Sequence, residues 1–430
     1  MTNFIILGAS GDLTKKKIIP AIYNLVKNNK IKNYSIIGVS RSKINIIGNA
    51  ELKKPDKKIL NDLKKRTYHF QSDFYSDEFN KLSEFVKKIE NKHKTKERII
   101  YLSTLPIHFE TIINSLSKNK INGKIVFEKP FGQDLKSAKQ INKTINKHFN
   151  EKNVYRIDHY LGKDIVQNIS ILRFTNSFFE PMWNNKNVKS VEITVEEDFG
   201  VESRAKFYDK YGAIKDVLQN HLLQLLALFA MEKPKKLTAK YIRDEKVKVL
   251  RKSKIVKTKV AQYKGYAKEV GHRSNTETFV SSEIYINNIR WKGVPFYLTT
   301  GKNTKERKSR ITIEFNKPNC LLFECGFSSN KLIFEIQPHS GFKLLLNAKS
   351  PFDNKIIPVS TDFCYQCLFP NSPEAYERLL EDVIKGDNSV FMRNDEIEYQ
   401  WKIVEQIKKG KLSYYNKKTD ISRLKLGGLK

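Results

Sequence analysis

The 430 residues include 40% hydrophobic and 11% aromatic side chains, enough for a sizeable core and too many for a disordered chain. No apolar stretch approaches the roughly 18 residues that span a bilayer, and the run at residues 4–7 lacks the flanks of a signal peptide, so a cytoplasmic protein of two to three domains is expected. The net charge of +33 admits nucleic-acid binding, but the lysines are dispersed without a patch, a tail or a nucleic-acid-binding signature. A generally Lys-rich surface, whose positive field draws in phosphorylated small molecules, is the preferred reading.

The first 165 residues read as alternating strand and helix. "FIILGAS" is a strand and turn, "KKKIIPAIYNLVKN" has helical periodicity, and "YSIIGVSR", "RIIYLST" and "GKIVFEKP" are further strands. Short apolar strands separated by helices predict an α/β, doubly wound parallel sheet over 1–165. From about residue 187 the strands "VKSVEITVEEDFG", "ETFVSSEIYI", "PFYLTTG", "RITIEF" and "KLIFEIQP" follow without a helix between each pair. These predict an α+β domain over 166–430 with a mostly antiparallel sheet. Its helices are "DVLQNHLLQLLALFAME" and "SPEAYERLLEDVIKG", the latter opened near Pro373 and closed by Gly386.

"GASGDLTKKK", residues 8–17, follows a strand and offers two glycines, Gly8 and Gly11, to a phosphate-binding turn. On its own a two-glycine turn is a weak signal. Asp12 is read as a cap for the following helix. Arg41, at the end of the second strand, stands where an NAD-selective fold places an acid, and it suits an NADP 2′-phosphate; it also fits a solvated loop.

Four further stretches carry chemistry. In "VFEKPFG", Pro130 restricts Lys129 to extended backbone at a strand end, where ligands of such sheets bind. In "RIDHYLGK", a helix would put His159 and Lys163 on one face, suited to a phosphate dianion; a surface helix start is the alternative. In "IKDVLQNHLLQLLALFAME", Asp216, Asn220 and Gln224 form a stripe at spacing four on a buried helix, with His221 alongside as a general base or a structural histidine. In "WKGVPFYLTTGKNTKERK", Lys302 and Arg307 lie in a basic loop able to hold an anion. Cys364 and Cys367 form a C-x-x-C with no matching partner pair, because Cys320 and Cys325 are too widely spaced; four reduced thiols are expected.

With these stretches in order, together with "EKPFGQDL", "IRDEKVKVLR", "SNTETFV" and "AYERLLEDVIKGD", the chain resembles the glucose-6-phosphate dehydrogenase family over nearly its whole length. The resemblance implies oxidation of β-D-glucose 6-phosphate at C1 to 6-phosphogluconolactone with hydride transfer to NADP, the entry step of the oxidative pentose phosphate pathway, without a metal. It implies His221 as general base and Asp158 as its carboxylate partner. His159, Tyr160, Lys163, Glu197, Asp216, Lys302 and Arg307 are then substrate contacts. Gly8, Ala9, Ser10, Gly11, Asp12, Leu13, Thr14 and Lys15 match the cofactor loop, with Arg41 on the 2′-phosphate and Lys129 between cofactor and substrate. The family forms dimers or tetramers through the second domain's sheet, so a homo-oligomer is implied, with no nucleic-acid or membrane partner. Three departures stand out: Thr299 replaces an Arg, His339 and Ser340 replace an acidic or amide pair, and the end after Trp401 lacks a "GSWGP"-like stretch. They predict an active but less stable enzyme. The competing reading is a non-catalytic basic binding protein on an old dehydrogenase fold.

Overall fold

The computed structural model describes residues 1–74, 78–319, 327–353, 355–408 and 410–427. It divides into two compact units: Met1–Gly162 with Thr238–Lys240 and Pro373–Glu398, and Lys163–Leu237 with Tyr241–Ser372 and Tyr399–Lys430. No helix among the described residues is long and apolar enough to cross a membrane.

In the first unit, β1 (Thr2–Leu7), β2 (Tyr34–Ser40), β3 (Thr67–Gln71), β4 (Glu97–Leu102), β5 (Lys124–Phe127) and β6 (Val154–Arg156) form one sheet in the order β3-β2-β1-β4-β5-β6. Every pairing is parallel. β1 and β2 are buried along their whole length, which is why their sequences are continuous apolar runs rather than alternating ones. The order reverses direction at β1, whose carboxyl end is therefore the ligand-binding edge of such a sheet. Helix Ala375–Lys385 packs Leu379, Leu380 and Val383 into the same core as Ile6, Ile22 and Ile36. It ends at Gly386, whose φ of 80° gives the left-handed cap expected there.

In the second unit the sheet order is β14-β13-β12-β11-β7-β10-β9-β8-β15. The strands are β7 (Val188–Glu196), β8 (Ser253–Tyr263), β9 (Phe279–Ile286), β10 (Phe296–Gly301), β11 (Lys308–Phe315), β12 (Lys331–Gln337), β13 (Gly341–Lys349), β14 (Ile356–Cys364) and β15 (Ser413–Tyr415). Pairing is antiparallel except for β7 with β10 and β8 with β15. β15, from the segment that departs from the family pattern, covers the outer edge of β8.

Three local expectations are corrected. The apolar helix is π-helical over Ile214–Leu222 and α-helical only over Leu223–Ala230. The wider turn shifts side chains off spacing four, and the Asn220 amide donates to the Lys215 carbonyl at 3.1 Å instead of joining an α-helical stripe. "RIDHYLGK" opens no helix: Lys163 has extended backbone and the helix begins at Asp164, so His159 and Lys163 share no helical face. Cys364 and Cys367 are bonded Sγ to Sγ rather than reduced, because the turn between them brings their Cα atoms to 5.3 Å, within disulfide reach. Cys320 and Cys325 lie outside the described residues.

Candidate active site

In the first unit the candidate cofactor residues stand at the carboxyl ends of β1, β2 and β5. Gly8 leaves β1 at φ 94°, and a Cβ there would lie 2.4 Å from the Ser103 carbonyl oxygen just beyond β4. Only glycine turns the chain at that point. The Gly8 and Ala9 amides donate to the Val39 carbonyl at 2.9 and 3.0 Å, and the Gly11 amide returns to the Gly8 carbonyl at 3.1 Å. Ser10 and Gly11 complete the turn. Leu13 packs against the core, and buried Thr14 places its hydroxyl 3.4 Å from the Gly8 carbonyl and 3.3 Å from Ser103 Oγ. The Lys15 amide continues the turn to the Gly11 carbonyl at 3.3 Å.

Asp12 does not cap this helix. Helical backbone begins at Asp12 itself, and its carboxylate points outward to Lys16 at 3.7 Å. Arg41 is exposed directly after β2, beside the Gly8 turn because β1 and β2 run parallel in register. Lys129 lies two residues beyond β5, in a cis Lys129–Pro130 bond. Loop, arginine and lysine therefore share one sheet edge, and the turn and the cation fit a dinucleotide phosphate.

The stretch after β6 is tied to β5 by the Ile157 amide, which donates to the Phe127 carbonyl at 2.9 Å. Asp158 is 1% exposed, and its Oδ1 accepts the Tyr160 amide at 2.9 Å. The His159 and Tyr160 rings are 5.0 Å apart.

In the second unit strand register assembles a polar cluster. β7 and β10 run parallel with Glu196 opposite Gly301, so the next residues, Glu197 and Lys302, leave the sheet side by side. Lys302 is 4% exposed; its ammonium donates to Glu197 Oε2 at 2.5 Å and lies 5.2 and 5.0 Å from the Phe199 and Tyr208 ring centres. Arg307 precedes β11 at the same edge, with its guanidinium 5.5 Å from the Phe199 ring. The π-helix packs against β7 and β10. On it Asp216 meets the Arg204 guanidinium at 3.5 Å, and His221 is 3% exposed with its amide on Asn220 Oδ1 at 2.8 Å. Lys163 stands at the start of helix Asp164–Thr175.

The C-terminal segment braces this loop. Tyr415 Oη donates to the Lys302 carbonyl at 2.5 Å, the Lys418 amide to the Asn303 carbonyl at 2.7 Å, and the Lys305 amide to the Thr419 carbonyl at 3.1 Å. Thr299 is buried inside β10 with its hydroxyl 2.8 Å from Ser281 Oγ. His339 and Ser340 form the turn between β12 and β13.

The family described as glucose-6-phosphate dehydrogenase, NAD binding domain, matches residues 5–168, and its C-terminal domain matches residues 170–421. A glucose-6-phosphate 1-dehydrogenase of Borreliella burgdorferi is 40% identical, with 95% of this chain and 92% of that protein covered. One from Bacillus subtilis is 38% identical, with 94% and 90% covered. A solved glucose-6-phosphate dehydrogenase in complex with glucose 6-phosphate superposes at a TM-score of 0.92 with 33% identity, over 97% of this chain and 95% of that one. The Mycobacterium avium enzyme superposes at 0.87 with 31% identity, over 97% and 94%. The chain belongs to the glucose-6-phosphate dehydrogenase family.

Within this glucose-6-phosphate dehydrogenase fold, two groups escaped the sequence reading. Glu128, the residue before Lys129, accepts the Tyr101 hydroxyl at 2.5 Å. Burial pushes its carboxyl up to about 7, opposed by the Tyr101 and Tyr376 hydroxyls and Lys129 and reinforced by Asp158. The only local signal was an acid in a strand-end E-K-P. Tyr208, on helix Ala205–Ala213, is 1% exposed and in the core with Tyr263, Tyr266 and Tyr415. Nothing in its local sequence pointed to Lys302, which is nearly a hundred residues away.

Proposed function

We propose that this protein oxidises β-D-glucose 6-phosphate at C1 to 6-phospho-D-glucono-1,5-lactone with NADP, as the first step of the oxidative pentose phosphate pathway. The observation that carries this reading is the superposition, over 97% of the chain, on a solved dehydrogenase described with that substrate. His221 removes the C1 hydroxyl proton while the C1–H bond breaks and C1–O becomes a carbonyl; a buried histidine suits a proton transfer near neutral pH. Asp158 stabilises the imidazolium that results. NADP supplies the hydride acceptor. The loop at 8–15 holds the pyrophosphate, Arg41 the 2′-phosphate, and Lys129 lies between cofactor and substrate. His159, Tyr160 and Lys163 bind the sugar phosphate, Glu197 and Asp216 the sugar hydroxyls, and Lys302 and Arg307 the substrate's negative charge.

A cytoplasmic homo-oligomer belongs to the same reading. A related Arabidopsis thaliana enzyme is described as cytoplasmic, and β13 and β14 expose Leu346, Ile357 and Val359 on the sheet through which oligomers of this family form. The test is NADPH absorbance with glucose 6-phosphate and NADP. Turnover is expected, and a folded protein that gives no signal at any concentration refutes the proposal. Tight, salt-sensitive nucleic-acid binding would favour the competing role.

A further inference from the structure

Lys302 is an ammonium in an almost wholly buried place, with one direct ionic partner among the described residues, Glu197, at 2.5 Å. A flexible lysine keeps a single direction only if its surroundings fix it. Two rings do so here: Phe199 and Tyr208 lie 5.2 and 5.0 Å from Nζ, both within cation–π range. The Tyr208 ring is itself held edge-on by Tyr266 at 6.4 Å, and Tyr266 is anchored through its hydroxyl to Asp209 at 2.9 Å. The Tyr208 hydroxyl, by contrast, makes no hydrogen bond among the described residues although it is fully buried. The contact that Tyr208 makes with Lys302 is through its ring.

We propose that Tyr208 is a positioning residue: its ring holds the Lys302 ammonium at the place where an anionic sugar substrate meets it, so that Tyr208 sets substrate affinity without touching the substrate. Glu197 is the carboxylate that neutralises Lys302, and a bound anion would share that ammonium with it. The ring cannot turn away, because Tyr266 and the sheet close behind it. The ammonium therefore keeps its direction when it is shared.

The proposal rests on the substrate reading above, and its test is binding rather than turnover. Calorimetric titration of glucose 6-phosphate into Tyr208→Leu is expected to show a dissociation constant raised about thirtyfold, the size of one desolvated cation–π contact. Affinity for NADP and kcat should stay near those of the wild type, and Tyr208→Phe, which keeps the ring, should bind as the wild type does. In the Lys302→Met background, Tyr208→Leu should add nothing. An unchanged constant in Tyr208→Leu, equal damage in Tyr208→Phe, or losses that add in the double variant overturn the proposal. If Tyr208→Leu fails to fold, Phe199→Leu removes the other ring and is judged by the same coupling to Lys302→Met. A wild type that binds glucose 6-phosphate without oxidising it refutes the proposed function and leaves this inference standing.

Discussion

Glu128→Gln should change how stability responds to pH. Burial lifts the Glu128 carboxyl from 4.5 to about 7, so the folded protein holds this proton more tightly than the unfolded chain. The sign follows: the stability it contributes is fully present below pH 4.5 and is lost as pH rises through about 7. At ~1.4 kcal/mol per pH unit this corresponds to about 3 kcal/mol. Gln still accepts the Tyr101 hydroxyl but does not titrate. Glu196 and Asp382 are also pushed to about 7, chiefly by burial, but they titrate in both proteins and cancel in the comparison. Urea unfolding followed by circular dichroism at pH 5 and pH 8.5 should show the wild type losing more stability than Glu128→Gln. The gap between the two losses should be on the order of 2–3 kcal/mol. If the two proteins lose the same amount, to within about 0.5 kcal/mol, Glu128 titrates normally and the burial argument is wrong.

His221→Asn should lower kcat by about 100-fold or more with little change in KM for glucose 6-phosphate, since a positioned base contributes roughly 10²–10⁴-fold; surviving turnover removes His221 as the base. Arg41→Ala should raise KM for NADP far more than for NAD, and equal loss with both dinucleotides takes Arg41 off the 2′-phosphate. Gly8→Ala puts a Cβ 2.4 Å from the Ser103 carbonyl at a φ of 94°. It should destabilise the first unit by about 2 kcal/mol or more and abolish NADP binding, as thermal unfolding and cofactor titration would show. An unshifted melting temperature would contradict the packing described.

The parts of the fold legible in the sequence are those where burial writes its own pattern. β1, β2, β4 and β5 are apolar runs because both sheet faces are covered, and Gly386 announces its helix end through a left-handed backbone. β8 and β14 were missed because their exposed positions carry Lys, Thr, Ser and Pro in place of clean alternation. The π-helix was missed because Asp216, Asn220 and Gln224 recur at spacing four, which fits an α-helical stripe and carries no mark of the wider turn. In the candidate site, the residues open to a reading from sequence were those of charge, proton chemistry or turn geometry: Gly8, Arg41, His221, Lys302. Tyr208 and the Tyr101–Glu128 bond did not, because their meaning lies in contacts between distant segments, created only when the sheets form.

The C-terminal segment holds the Lys302 loop with main-chain bonds on both sides, at Lys418 to Asn303 and at Lys305 to Thr419. Main-chain atoms are the same in every residue but proline. Where the segment is attached in this way it can exchange side chains and still present the same edge to its neighbour, but Ile421 in the core and Lys425 on Glu192 at 2.6 Å are held by what their side chains are. Sequence change at the positions that meet the loop through main chain alone, Lys418 and Thr419, is thus mechanically silent for that loop so long as the backbone path is kept and Tyr415, which reaches the loop through its side chain, remains.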